Sequence, residues 1–278
     1  MKNIRRDFLL ILPFFVFLGF FEIYPILNLF VKSFFSDKGS FTLQYYRNIF
    51  LLDQYRLAIR NSLLFSTSAS LFGGILGTFV GYFISHLKRS TKNFLLSLYS
   101  LPLTLSGLVV AFAFIVLLGR NGVLNQIIRL LFHLPKDYYI DIYSWPGIVF
   151  VYGFFQIPLM TLTMAAVFEN LDKSIVEASK NLGATTFQTW RYVIIPSLAP
   201  GFVSGLSIQF AGMLGAFGTV LALVGGEKNL LSIQIYFQTS ESTYNLPQSA
   251  ALSVALILII SVVLSILNLV ERKLKPGG

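Results

Sequence analysis

Residues 174–201 read SIVEASKNLGATTFQTWRYVIIPSLAPG, a punctuated and partly charged stretch set between two runs apolar enough for lipid. Ser174, followed three residues later by Glu177, has the form of a capping box and predicts a short helix with Ile175, Ala178, Ser179 and Leu182 on one face. Gly183 ends it. Thr185 and Gln188 repeat the signal for a second helix, with Phe187, Trp190, Arg191 and Ile194 sharing a face, and Pro196 and Pro200 predict a break or kink beyond it. The pattern is thus two short helices at a sharp glycine corner, and the flanking runs decide what it belongs to.

Those runs are membrane spans. The chain has 278 residues, 55% hydrophobic and only 12% charged, with a mean hydropathy of +0.73, far from the composition of a soluble domain. Six windows carry about 20 residues with almost no charge, the length an apolar slab roughly 30 Å thick requires. They lie near 8–31, 63–84, 94–118, 145–168, 202–224 and 249–270. Helices follow, because lipid offers backbone amides no partners outside their own segment. The predicted fold is an all-α integral membrane protein, one transmembrane domain over residues 1–278 with a polar loop at about 169–200.

Basic residues set the orientation. With the N-terminus inside, MKNIRRD, SHLKRSTKN, the 169–192 segment and ERKLKPGG hold 12 of the 21 Lys and Arg in about 48 residues, against 9 in about 81 on the opposite face. Both termini and the 174–201 stretch are therefore expected in the cytoplasm. The net charge of +9 then reflects contact with membrane lipid and needs no nucleic acid, since no polar domain exists to carry a basic binding surface. The run from Phe8 to Val31 is too long for a cleaved signal and lacks a small-residue cleavage site, so it is read as a retained first span.

Catalytic chemistry finds no residues. With no Cys there is no disulfide, thiolate or Cys metal site. His86 and His133 fall on opposite faces in this topology, without carboxylates at ligand spacing. The sequence has no Gly-x-Ser-x-Gly elbow, no His-Glu-x-x-His helix and no phosphate loop. The chain is expected to be no enzyme and to bind no cofactor or metal, so any ATP-driven work requires ATP on another chain.

Within the spans, Gly73, Gly77 and Gly81 repeat every four residues, a face suited to close helix packing inside the bundle or against a second subunit. Gly212, Gly215 and Gly218 cluster with Gln209 in the fifth window. Gln156, just before Pro158, and Gln209 are candidates to line an aqueous path, and Glu22 is a third, an acid lying either within the first span or at its outer edge.

The run Glu177, Ala178, Ser179, then Gly183 and Ala184, and later Ile195, Pro196 and Pro200, closely resembles the EAA loop of binding-protein-dependent ABC importer permeases. LPLTLSGLVVAFAFIVLLGRNGVLN (101–125) and FGTVLALVGGEKNLLSIQIYFQ (217–238) extend the likeness toward the branch serving polyamines, ferric iron, thiamine, phosphonates, sulfate and molybdate. Two departures are Ser179 in place of the third-position Ala and Leu182 where the family often has Asp. The resemblance implies a type I importer permease with six transmembrane helices in a bacterial inner membrane. It implies an ATPase dimer holding ATP and Mg on the cytoplasmic side, a second permease subunit (related partner or second copy) and an extracytoplasmic substrate-binding protein. The loop would be a coupling helix docked on the ATPase, with Glu177 meeting a basic residue there. Polyamine (spermidine or putrescine) or ferric iron is the favoured cargo; phosphonate, thiamine or another small oxyanion is the alternative. A secondary transporter is the distant alternative, for which inverted repeats and broken helices would be expected.

Overall fold

The computed structural model describes residues 11–240 and 244–275. MKNIRRD, residues 8–10 of the first predicted span and the last three residues of ERKLKPGG lie outside the described residues. Among the described residues the regular structure is helical, apart from an isolated bridge between Phe35 and Phe41. In chain order the helices are α1 (Ile11–Lys32), α2 (Gln44–Leu51), α3 (Asp53–Ser85), α4 (Arg89–Thr104), α5 (Gly107–Leu118) and α6 (Val123–Phe132). There follow α7 (Trp145–Glu169), α8 (Lys173–Asn181), α9 (Thr186–Leu214), α10 (Gly218–Val224), α11 (Leu231–Thr239) and α12 (Leu246–Leu274). Six helical stretches are long and apolar enough to cross a membrane: α1, α3, residues 107–132, α7, α9 and α12.

Two of the predicted spans need correction. The 94–118 window is not one helix: α4 stops at Thr104, Leu105 and Ser106 are extended, and α5 starts at Gly107. Pro102 in the last turn of α4 withholds an amide from the helical ladder. A Cβ at Gly107 would collide with the Thr219 hydroxyl of α10, so the break is also where two chain segments come close. The 202–224 window likewise divides, with α9 ending at Leu214, a turn at Gly215, and α10 starting at Gly218.

Of the break or kink expected at the prolines of the fifth span, the break does not occur. α9 runs unbroken through Pro196 and Pro200 because a π turn, Trp190–Ile194, precedes Pro196. The Ile195 amide donates to the Trp190 carbonyl, one residue beyond the α-helical partner. A proline ring collides with the carbonyl four residues before it, and a widened turn moves that carbonyl aside. α1 repeats the device: the Tyr24 amide donates to the Gly19 carbonyl, and Pro25 follows.

The chain divides into two compact units, one within residues 1–59 and 229–259, the other within 60–228 and 260–278. In the first, Ile49, Tyr55, Leu231, Ala251 and Leu252 form a buried cluster. Gln248 ties it across the chain, accepting from Asn48 Nδ2 (3.0 Å) and donating to the Tyr45 carbonyl (3.2 Å). α1 belongs to this unit, and none of its apolar window is buried; Phe20 and Phe21 are 70% and 71% exposed. The second unit is organised on α7, whose Ile148, Val151, Met160 and Met164 are buried. The glycine row of α3 packs against it. A Cβ at Gly77 would stand 2.5 Å from Met160 Cβ and 2.6 Å from the Ile157 carbonyl, and at Gly81, 3.0 Å from the Thr161 carbonyl. At Gly73 it would overlap Gln156 Cβ outright. Thr161 Oγ1 donates to the Gly77 carbonyl at 3.3 Å across this seam.

Candidate coupling and translocation site

The first helix of the opening stretch does not start as its sequence suggests. The cap of α8 is Asp172, whose carboxylate accepts from the Ser174 amide at 2.8 Å; Ser174 lies inside the first turn, and the Ser174–Glu177 box is not formed. Aspartate two residues earlier competes for the same free amides and carries charge that the helix N-terminus favours. Hydrogen bonding from Ser174 holds the Asp172 carboxyl below its usual pKa.

The corner is formed in full. Gly183 has φ +82°, the left-handed conformation that other residues adopt at a cost. Its amide donates to the Lys180 carbonyl (2.9 Å) and the Ala184 amide to the Ser179 carbonyl (3.1 Å), the paired bonds of a Schellman stop. Thr185 and Gln188 then form a reciprocal capping box, with Thr185 N to Gln188 Oε1 at 2.8 Å and Gln188 N to Thr185 Oγ1 at 3.3 Å.

The predicted faces hold in part: Ile175 and Ala178 of α8 and its C-cap Leu182 are exposed together. Val176 and Ser179 turn inward, and the Ser179 and Thr189 hydroxyls lie 2.9 Å apart, whereas Leu182 is 89% exposed. Beyond the corner Phe187 is 74% exposed while Ile194 is buried, because the π turn shifts the register between them. Trp190 packs with Phe168 near Met160, Met164, Ile194 and Leu198, and its ring meets Tyr82 edge-on at 5.2 Å. A cavity of about 360 Å³ lies between α8 and the helix ends, lined by Lys173, Glu177 and Lys180 on one side and Tyr82, His86 and Trp190 on the other. Lys92 pairs with Glu169 at 2.7 Å, fastening the start of α4 to the end of α7. Ala178 is exposed, Ala184 half-buried, and Pro196 sits just past the π turn.

The path candidates separate. Glu22 lies in the π turn of α1 and is exposed. Gln156 and Gln209 meet in the interior, 3% and 1% exposed, with Gln209 Nε2 donating to the Gln156 carbonyl at 2.6 Å. Gly73 and Gly74 of α3 admit them, since a Cβ at Gly74 would lie 3.5 Å from Gln209 Oε1 and 2.7 Å from Leu206. Sequence reading passed over Ser62, Ser66 and Ser70, buried at four-residue spacing on α3. The signal was available, because the four-residue spacing of the serines leads directly to Gly74, beside the glycine row.

Residues 73–276 match the family described as binding-protein-dependent transport system inner membrane component. The chain belongs to this family. As a permease of that kind it is 30% identical over 231 residues to the spermidine/putrescine transport system permease protein PotB of Salmonella typhimurium (strain SL1344), covering 82% of this chain and 79% of the relative. It is 28% identical over 211 residues to the sulfate transport system permease protein CysT of Salmonella typhimurium (strain LT2), covering 74% of each. Among solved structures, the permease fold matches a chain of the bacterial alginate ABC transporter in complex with an alginate pentasaccharide-bound periplasmic protein, at TM-score 0.79 and 18% identity over 100% of this chain and 98% of that one. The MetNI methionine ABC transporter in inward-facing conformations matches at TM-score 0.58 and 16% identity, over 79% and 95%. This chain is thus an ABC importer permease of the inner membrane, the membrane-spanning component and not the ATPase.

Proposed function

We propose that this permease couples to a cytoplasmic ATPase dimer, which holds ATP and Mg, through α8 and the Gly183 corner. The observation that carries the reading is the exposure of large apolar residues around a rigidly stopped turn: Leu182 at 89%, Phe187 at 74% and Tyr192 at 69%. Exposed large apolar side chains on an otherwise polar segment fit a protein groove. ATP-driven closure of the ATPases would carry the docked corners together and shift a two-state bundle, which requires only that nucleotide binding favour one state. A second permease subunit, a copy or a related chain, completes the path, and an extracytoplasmic binding protein delivers the cargo. The orientation places the corner and both termini in the cytoplasm. The chain has no Cys, so Lys180→Cys should react with an impermeant thiol reagent only from the cytoplasmic side and Lys136→Cys only from outside; reversed labelling refutes the orientation.

Polyamine is the cargo we favour, because the relative named for spermidine and putrescine combines 30% identity with 82% coverage of this chain. Glu22, an acid in a spanning helix, would suit an ammonium group on the path. The sulfate-named relative, at 28% over 74%, supports an oxyanion as the second reading, with ferric iron, phosphonate and thiamine behind it. The test is ATPase stimulation of the reconstituted complex by its binding protein loaded with each candidate. Stimulation by loaded spermidine supports polyamine, and stimulation by sulfate alone replaces it.

A further inference from the structure

Four polar side-chain atoms of the buried crossing have no hydrogen-bond partner among the described residues: Ser66 Oγ, Ser70 Oγ, Gln156 Oε1 and Gln209 Oε1. All four residues are at most 3% exposed. Two are hydroxyls able to donate and two are amide carbonyls able only to accept, so the set is complementary and uncombined. An uncombined polar group in a lipid-embedded bundle is unfavourable, and leucine or methionine would fill the same volume without that penalty.

The surface beneath them explains what such a set can do. From Ser66 to Gly74 the buried positions of α3 are Ser66, Ala69, Ser70, Gly73 and Gly74, all small, while Gly77 and Gly81 beyond them are closed over by α7. Ser70 lies four residues from Gly74, about 6 Å along the axis at 1.5 Å per residue. Gln209 Oε1 rests over Gly74. A displacement of α9 along α3 by a helical turn or less, with the reach of the glutamine chain, would carry that carbonyl toward the Ser70 hydroxyl over buried α3 positions that hold only small residues.

We propose that Ser66, Ser70, Gln156 and Gln209 form a hydrogen-bond switch on a small-residue track of α3, its two settings belonging to the two transport conformations. In the setting seen here the Gln209 side-chain amide donates to the main-chain carbonyl of Gln156, and the two hydroxyls and both glutamine Oε1 atoms are idle. In the other, Ser70 donates to Gln209 Oε1, and Ser66 is the next donor along the track. The polar groups then bias an equilibrium instead of adding to the stability of one state. The inference rests on the permease reading, since it needs a bundle with two conformations.

The experiment uses the full complex in nanodiscs, with melting temperature measured nucleotide-free and after trapping with ATP and vanadate. Gln209→Met and Ser70→Ala are each expected to change the melting temperature unequally in the two conditions, altering the trapping-induced shift by several degrees, and to lower uptake while ATPase association persists. Thr161→Val, which removes a hydroxyl already bonded to the Gly77 carbonyl, should move both conditions alike. Equal changes for Gln209→Met and Ser70→Ala, as a static node solvated in both states would give, overturn the switch. Should Gln209→Met fail to assemble, Ser70→Ala alone decides. A wild-type chain that recruits no ATPase refutes the permease coupling itself, and the switch with it.

Discussion

Gly77 and Gly183 are the same residue used for opposite reasons. At Gly77 the backbone is ordinary helix and the space is lacking, with Met160 Cβ 2.5 Å and the Ile157 carbonyl 2.6 Å from where a Cβ would stand. At Gly183 nothing lies within 4 Å of the added atom, and the constraint is the backbone at φ +82°. The bundle therefore tolerates no added volume on its packed face, whereas the Gly183 corner tolerates volume but not a change of backbone preference. Under the proposed coupling, that division suits a bundle held together on a close α3–α7 seam and a corner that transmits motion without bending.

The contrast is broken most directly at Gly77. Gly77→Leu is expected to have the largest effect, since overpacking of a tight interface costs about 1–3 kcal/mol even where relaxation is possible and more where backbone is the obstacle. Complex yield and thermal stability should collapse. Normal yield and uptake would mean that the α3–α7 seam has slack that the distances do not suggest.

Gly183→Val should do less to the bundle and more to its output. Left-handed backbone costs a residue bearing a Cβ about 1–2 kcal/mol, and a β-branched one more. The strain falls on an exposed corner, so insertion and assembly should be normal while uptake falls and ATP hydrolysis continues. Gly183→Asn, which adopts this conformation more readily, should retain coupling better than Val despite its comparable bulk. Equal loss in both variants would make volume the problem, and the comparison with Gly77 would fail.

How much of this was legible follows the range of the interactions. The Gly183 stop and the Thr185–Gln188 box are satisfied within a few residues, so spacing alone exposes them. The Ser174 cap was misread because two local candidates competed and Asp172 took the free amide. Periodicity identified the Gly73–Gly77–Gly81 row, but not that its partner is α7, which is a matter of packing between distant segments. The breaks at residues 105–106 and 215–217 fall inside apolar windows where hydropathy is blind to a lost amide bond or a glycine turn. The meeting of Gln156 and Gln209 spans 53 residues of sequence and leaves no local trace.

The third effect sharpens the difference between cap and corner. Asp172→Ala should fray the first turn of α8 and weaken ATPase association, with Ser174→Ala losing less, because it removes the hydroxyl's bond to the Asp172 carboxylate but leaves the backbone amide bond of the cap. The reverse ranking would restore the Ser174 box. Since hydrogen bonding depresses the Asp172 pKa, its contribution is complete above the ordinary aspartate value, about 3.9, and is lost as pH falls through the lower folded value. Amide exchange protection in α8 should follow that sign in wild type and lose its pH dependence in Asp172→Ala.

The smallest effect expected is that of Glu177→Gln, and it separates two roles for one side chain. Glu177 is not part of a capping box; it lines the cavity beside Lys173 and Lys180. If its role is charge, contact with a basic group of the ATPase is lost in Gln, while helix propensity and volume are nearly unchanged. An exposed ion pair contributes about 0.2–1 kcal/mol, so association should weaken only a few-fold, and more at low salt than at high, where screening has already removed most of the attraction. Exchanging acid and base between Glu177 and its ATPase partner should recover part of the loss. Glu177→Ala, which also removes the side chain from the wall of the cavity, should lose somewhat more and do so at every salt concentration. Association of the Gln variant that matches wild type at low salt would assign Glu177 to the cavity wall alone, leaving the exposed Leu182, Phe187 and Tyr192 as the proposed docking surface.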